Sequence, residues 1–208
     1  MIRIASIVEG HGEVEAVPIL VRRLVTHFDP SCTADWIRPH RCPRSQLVAD
    51  VSEMRDKAVA RAIYDADSSG AVLVVLDSDD DCPVELSKAV AAKIEPACAA
   101  RGVGFGIVVA NREFEAWFLS APNSIRGVRG IPEDAEFPSE PESVRGAKER
   151  LGKLMESGNY SPTVDQPRFS SAIDIEEARL SSRSFRRLCT EMERLAAELC
   201  PVPPGVAS

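Results

Sequence analysis

Three short apolar segments, rich in β-branched residues, alternate along the chain with longer segments of helical periodicity. The apolar segments are residues 2–8, 71–76 and 107–110. Their length and nearly continuous apolar character are typical of strands buried on both faces. Strands that alternate with helices are joined by right-handed crossovers, which produce a parallel sheet. The sequence therefore predicts an α/β fold, a Rossmann-like parallel sheet flanked by helices.

Segments of helical periodicity follow each predicted strand and continue to the C-terminal part of the chain. A further short strand is expected at residues 33–38. Prolines between residues 122 and 143 indicate an irregular loop there. The predicted helices are residues 14–28, 46–64, 86–100, 113–119, 143–155 and 175–199.

At 208 residues, the chain has room for one domain with a full core and a helical appendage. We expect an α/β core at residues 1–121 and an irregular loop with a helical extension, packed on that core, at residues 122–200. Residues 201–208 contain three of the chain's prolines and are expected to form a frayed tail.

Cysteine usage and hydropathy predict a cytoplasmic protein. Six cysteines are scattered without CxxC spacing, so reduced thiols are expected. The set Cys32, His40 and Cys42 offers only three irregularly spaced zinc donors and is predicted to be unligated. No apolar run spans a bilayer, and no signal peptide is evident, so no membrane partner is expected.

The formal net charge of −7 bears on the partners of the protein. Long-range repulsion from phosphate opposes tight autonomous binding of nucleic acid. A nucleic-acid substrate would therefore require a partner, a metal ion or a local basic patch. The arginines of the last predicted helix form either such a patch or a solvated face paired with neighbouring glutamates.

Two of the predicted strands end in carboxylates. Glu9 follows the first strand, and an aspartate-rich turn with Asp77, Asp79 and Asp81 follows the second. In parallel sheets, ligands gather at the carboxyl ends of strands, and carboxylate oxygens suit Mg²⁺ or Mn²⁺. The sequence predicts a metal site there. The alternative is a Glu-Gly turn at Glu9 and helix capping by the aspartates.

The segment after the third strand offers two more acids. Glu113 and Glu115 either add ligands at the same edge or start a helix whose aromatic residues fill the core. Gly10, His11 and Arg112 lie beside these acids and are candidates for substrate contact. For His11 the alternative is a loop histidine with no role.

The Glu9-Gly10 and Asp77-Ser78-Asp79 motifs resemble the Toprim family of topoisomerases, primases and overcoming-lysogenization-defect nucleases. The resemblance covers roughly the first half of the chain. It implies that Glu9 is a general acid/base or a metal ligand, and that the two aspartates hold a catalytic ion. Glu13 gives a Glu-Gly-x-x-Glu form that is similar to the nuclease branch, where an extra acid helps to hold a second metal. Lys148 lies where nuclease-like relatives carry a basic residue.

A closer resemblance extends over nearly the whole chain, to the Toprim-like domain of unknown function 4276. The motifs that carry it are Glu9-Gly10-x-x-Glu13, the turn at residues 77–81, Glu113-x-Glu115-x-Trp117 and Ser182-x-Ser184-Phe185. Such proteins are similar to partners of ATPases encoded nearby in phage-defence pairs.

We therefore expect a Mg²⁺- or Mn²⁺-dependent nuclease, or nuclease subunit, that acts with an ATPase partner; a homodimer is compatible with this expectation. Two alternatives stay open. One is a non-catalytic module that docks an ATPase. The other is a phosphohydrolase or receiver-like protein that uses Asp77 as nucleophile or phosphoacceptor.

Overall fold

The fold is built around a parallel sheet. A computed structural model describes residues 1–35, 37–63 and 70–200. The described part contains four strands, which pair in parallel in the order β2-β1-β3-β4. The α/β prediction is confirmed. The strands are β1 (Ile4–Val8), β2 (His40–Arg41), β3 (Ala71–Asp77) and β4 (Gly104–Ala110).

Helices cover both faces of this sheet. Side chains of β3 alternate between two hydrophobic clusters, because successive residues of a strand point to opposite faces. Helices α1 and α10 contribute to one cluster, and α3 and α4 contribute to the other. The helices of the described part are α1 (Glu13–Phe28), α2 (Arg44–Ala49), α3 (Ser52–Ala62), α4 (Pro83–Ala99), α5 (Ala116–Leu119), α6 (Pro122–Ile125), α7 (Ala147–Leu154), α8 (Pro162–Ala172), α9 (Ile175–Ser181) and α10 (Arg183–Leu199).

Two predicted elements of the first half are corrected. The strand expected at residues 33–38 is wrong: Ala34 makes only an isolated bridge with Ile2, and the strand lies at β2. The single helix expected at residues 46–64 is divided into α2 and α3. The side chain of Asp50 accepts the backbone N–H of Ser52, and this local turn interrupts the helix.

The C-terminal half contains a helix that the sequence did not predict. Helix α8 begins with Pro162, where a missing N–H is tolerated, and it also contains Pro167. Because prolines are typical of loops, these two residues hid the helix from prediction by sequence pattern. Helix α8 packs against α1, while α10 packs against both α1 and β4. The tail predicted at residues 201–208 lies outside the described residues.

A disulfide joins the two halves of the chain. Cys32 and Cys200 are bonded, whereas the other four cysteines carry free thiols. The prediction of reduced thiols is therefore wrong for this pair and agrees with the other four cysteines, while the cytoplasmic location stays a prediction. None of the described helices is long and apolar enough to cross a membrane.

Candidate functional site

The carboxyl edge of the sheet brings the predicted acids to one side of the molecule. Strands β1 and β3 are direct neighbours, with Val8 opposite Val75. Glu9 therefore follows β1 next to the end of β3, which is Asp77. Strand β4 also ends at this edge and leads into the turn that carries Glu115. Because β1 and β3 are neighbours, Glu9 and Asp77 lie at the same edge of the sheet.

Three carboxylates are buried at this edge around one lysine. The exposed fractions of Glu13, Asp77 and Glu115 are 3%, 8% and 0%. The Nζ atom of Lys148 lies 3.8 Å from Glu115 Oε2 and 4.0 Å from Asp77 Oδ2. We call these four residues the buried acid cluster. It combines three acidic groups with a single basic group, so its charges do not balance if all three acids are ionised.

Backbone amides hold two of these carboxylates in place. Glu13 Oε2 accepts the N–H groups of Glu9 and Gly10, at 3.1 and 3.2 Å. A Cβ atom at Gly10 would lie 2.5 Å from Glu13 Oε1, so a larger residue there would displace the Glu13 carboxylate. Asp77 Oδ1 accepts the N–H of Phe114 at 2.7 Å. The Glu-Gly-x-x-Glu spacing thus places the Glu13 carboxylate within hydrogen-bonding distance of the backbone at Glu9 and Gly10.

Helix α8 and the segment before it hold the third carboxylate. Glu115 Oε1 accepts hydrogen bonds from Tyr160 Oη at 3.0 Å and from Gln166 Nε2 at 2.8 Å. Neither residue was predicted, because local sequence patterns identified neither α8 nor the segment before it. Glu115 Oε2 and Glu9 Oε2 are both buried and have no hydrogen-bond partner among the described residues. Two acceptor oxygens at this edge are therefore available to a ligand.

The environment shifts the pKa values of the cluster in a consistent direction. Burial raises the pKa of Glu13 to about 7, and the charge of Glu115 adds to this increase. Burial, with the charge of Glu13, raises the pKa of Asp77 well above its ordinary value. Burial also raises the pKa of Glu115. Burial lowers the pKa of Lys148, but the neighbouring carboxylates outweigh it and raise that pKa overall.

Glu9 connects the buried acid cluster with the exposed turn. Its side chain is half-buried, and burial raises its pKa, with a further contribution from the charge of Asp79. Asp79 itself is 60% exposed and pairs with Arg44 at 2.8 Å. Asp81 pairs with the same guanidinium group. The structure thus places Asp79 and Asp81 in surface ion pairs rather than among the buried acids.

The turn after β3 is bound to the turn after β4. Ser78 Oγ accepts the N–H of Arg112 at 2.7 Å, and the N–H of Asp79 donates to the carbonyl of Arg112 at 2.9 Å. Asp80 pairs with Arg112 at 3.0 Å and with Arg145 at 2.5 Å. These contacts fix the rim of the site and leave cationic groups at its surface.

Two further predicted residues, Glu113 and His11, lie outside the buried acid cluster. Glu113 accepts the backbone N–H groups of Gly146 and Lys148, at 3.0 and 3.1 Å, so both its oxygens cap the start of α7. It thereby helps to fix the position of Lys148. His11 is exposed in the loop before α1.

The predicted metal ligands are not gathered to coordination distance. In the described part of the chain, one group of three potential ligand residues has its donor atoms all within 4.8 Å of one another, and it consists of Asp29, Cys32 and Cys200. Two of these three form the disulfide. The three carboxylates predicted to share an ion lie at one edge, but Asp79 is directed to the surface.

Comparison with known proteins gives one match. No curated protein and no solved structure is significantly similar to the chain. A family model described as "Domain of unknown function (DUF4276)" matches residues 8–193. Because this match covers most of its length, the chain belongs to the DUF4276 family.

Proposed function

We propose that the protein is a Toprim-type nuclease, or nuclease subunit, that uses Mg²⁺ or Mn²⁺ to cleave phosphodiesters. The observation that carries the proposal is the buried acid cluster. Its three carboxylates are buried, and a single ammonium group lies within 4.0 Å of two of them, those of Asp77 and Glu115. Crowded carboxylates raise one another's pKa until protons or a cation relieve the repulsion. A divalent cation would balance the charge without protonating the acids.

The carboxylate donors at this edge have the chemistry that such a cation requires. Glu9 and Glu115 each carry a buried oxygen without a hydrogen-bond partner among the described residues, and Asp77 lies between their strands. Hard carboxylate oxygens are the ligands that Mg²⁺ and Mn²⁺ prefer. Glu9, Asp77 and Glu115 would hold the ion, and Glu13 would support a second one. When bound, the metal would supply an activated water and stabilise charge on a phosphoryl oxygen.

The other residues would bind substrate and move protons. The ammonium group of Lys148 stays charged and would stabilise negative charge that develops on the phosphate. The side chain of Glu13, whose pKa is about 7, can take up or release a proton near neutral pH. The guanidinium groups of Arg112, which is partly exposed, and of Arg145, which is exposed, pair with Asp80 and would contact the phosphates of a nucleic acid at the rim. By the resemblance to Toprim-like proteins, an ATPase encoded nearby would act with the protein in defence against foreign DNA.

Two other functions receive less support. A receiver-like role for Asp77 needs an accessible carboxylate, whereas its side chain is 11% exposed and Oδ1 accepts the Phe114 N–H. A non-catalytic module that docks an ATPase is favoured by one observation: Lys148 already neutralises part of the cluster. The test below separates this module from a nuclease.

The test is DNA cleavage with Mg²⁺ or Mn²⁺, in the presence and absence of the neighbouring ATPase. Plasmid and linear DNA should both be tried, and Asp77→Asn should lower the rate by at least about 100-fold. Asp56→Asn is the matched control, because Asp56 is exposed on α3, where it pairs with Arg55. Failure of the wild type to cleave, or equal cleavage by Asp77→Asn, contradicts the nuclease and leaves the docking module.

A further inference from the structure

The outer edge of the sheet has an unusual set of free backbone groups. Strand β4 is the last strand of the sheet. The N–H of Gly104 donates to the carbonyl of Gly70, and the N–H of Ser78 donates to the carbonyl of Ala110. Successive residues of a strand direct their backbone N–H and C=O groups to opposite sides. These two bonds therefore show which residues of β4 direct their backbone groups towards β3. Even-numbered residues face β3, and odd-numbered residues face outwards.

Both ends of this outward edge are occupied. The carbonyl of Phe105 accepts a hydrogen bond from Arg194 at 2.6 Å, and the N–H of Asn111 donates to Ser184 Oγ at 3.2 Å. Between them, the outward amide and carbonyl groups of Ile107 and Val109 have no partner in the described part of the chain. These residues are only 8% and 7% exposed. The unpaired outward groups of an edge strand can bind a further strand, so this stretch of β4 is a site for strand addition.

A groove of about 620 Å³ lies over these free groups. One wall is the start of α4, where Pro83 and Val84 give an apolar surface and Val84 is 57% exposed. The other wall is the start of α10, where Arg183 and Arg187 are exposed. The α4 wall also carries the exposed Lys88. An added strand would therefore direct alternate side chains towards the largely apolar α4 wall and towards the cationic α10 wall.

The charges of the groove favour an acidic occupant. Lys88, Arg183 and Arg187 line the groove together with one acid, Glu142. Lys88 also pairs with Glu85 at 3.1 Å, and Arg187 pairs with Glu191 at 2.5 Å. Glu142 Oε1 already accepts hydrogen bonds from Ser182 Oγ and from Ser184. Arg183 makes no side-chain ion pair within the described residues. A second copy of the chain would bring an equally cationic groove against this one, and the like charges would repel.

We propose that the edge of β4 binds an extended, acidic segment of a partner protein as an additional strand. Backbone hydrogen bonds to Ile107 and Val109 would give affinity, and alternating apolar and acidic side chains would give specificity. This surface is separate from the buried acid cluster, so the proposal does not depend on nuclease activity.

The test uses a short fluorescent peptide of alternating glutamate and valine with the full-length protein. Binding is followed by anisotropy, and hydrogen exchange reports the amides of Ile107 and Val109. We expect saturable binding that slows exchange at both amides. A peptide of alternating lysine and valine, or one with N-methylated amides, should not bind.

Variants assign the binding to this groove. Lys88→Glu combined with Arg183→Glu reverses one exposed charge on each wall, and it should weaken binding by about tenfold or more. Arg101→Glu is the control, since Arg101 is exposed beyond the opposite end of α4. Thermal melting verifies that all variants fold.

Three results would overturn the proposal. The first is unchanged exchange at Ile107 and Val109 with saturating peptide. The second is sedimentation as a dimer that the double variant disrupts, which would assign the edge to a second copy. The third is equal protection of both amides by a single-stranded DNA oligomer, which would assign the groove to nucleic acid.

Discussion

At the scale of single residues, the buried acid cluster determines how the protein responds to pH. Glu13, Asp77 and Glu115 all have raised pKa values, and burial is the largest cause for each. Among the residues that the structure describes, Lys148 alone offers a compensating charge within 4.0 Å of two of them. Without a metal, protons must supply the rest of the compensation, so the folded protein takes up protons that the unfolded chain has already released.

The pH dependence of stability therefore has a defined sign. Between pH 4.5 and about 7, folded Glu13 retains a proton that the unfolded chain has lost. The free energy of unfolding falls as the pH rises through this interval, by up to about 3 kcal/mol for this residue. Glu13→Gln removes the contribution and flattens the decrease, which urea unfolding at a series of pH values measures.

A matched control lies on the same helix. Glu15 is partly exposed and pairs with Arg38 at 3.0 Å, so Glu15→Gln should keep the wild-type slope. If Glu13→Gln and the wild type lose stability with pH equally, the pKa of Glu13 is not raised and the electrostatic description of the cluster is wrong.

At the scale of elements, helix α10 depends on its first residues. Ser182 Oγ accepts the N–H of Phe185 at 3.0 Å and donates to Glu142 at 2.6 Å. Because Ser182 is fully buried, no water replaces these bonds. The cap also fixes Ser184, which contacts the end of β4 through the N–H of Asn111. The N-cap thus links α10 to the edge of the sheet.

Loss of this cap should destabilise the whole protein. Ser182→Ala should lower the free energy of unfolding by about 1 kcal/mol, measured by urea denaturation. Ser181→Ala changes an exposed neighbour and should have almost no effect. Equal effects of the two substitutions would show that the cap does not stabilise α10.

The disulfide connects α10 to the segment after α1. Cys32 and Cys200 are 168 residues apart in sequence, so their bond restricts much of the unfolded chain. Reduction should lower the free energy of unfolding of the wild type by about 2 to 4 kcal/mol, and it should leave Cys200→Ser unchanged. Cys82→Ser removes an exposed free thiol and should respond to reduction like the wild type. A wild type that is insensitive to reductant would contradict the bond.

At the scale of the whole molecule, sequence patterns predicted the sheet better than the helical half. Continuous apolar runs identify β3 and β4 because strands buried on both faces exclude polar residues. Helix α8 was not predicted, because prolines such as its Pro162 and Pro167 are typical of loops. Gln166, which lies on this helix and donates to Glu115, was therefore not predicted either. Local periodicity identifies a helix but does not tell which helices pack against the site.

The candidate site was predicted in part for the same reason. Strand ends at a common edge indicated Glu9 and Asp77, since topology alone brings them together. The direction of Asp79 depends on its positive φ of 48° and on Arg44, which comes from a distant helix. Glu115 was one of two equivalent candidates until the contacts of Tyr160 distinguished it from Glu113.

Manganese binding is the most direct test of the central claim that the buried acid cluster balances its charge with a divalent cation. A crystal soaked in Mn²⁺ should show an anomalous peak between Asp77 and Glu115, with the side chain of Glu9 turned towards it. Absence of a peak at saturating Mn²⁺, or a peak only beside Asp79 and Asp81 at the surface, would contradict the claim.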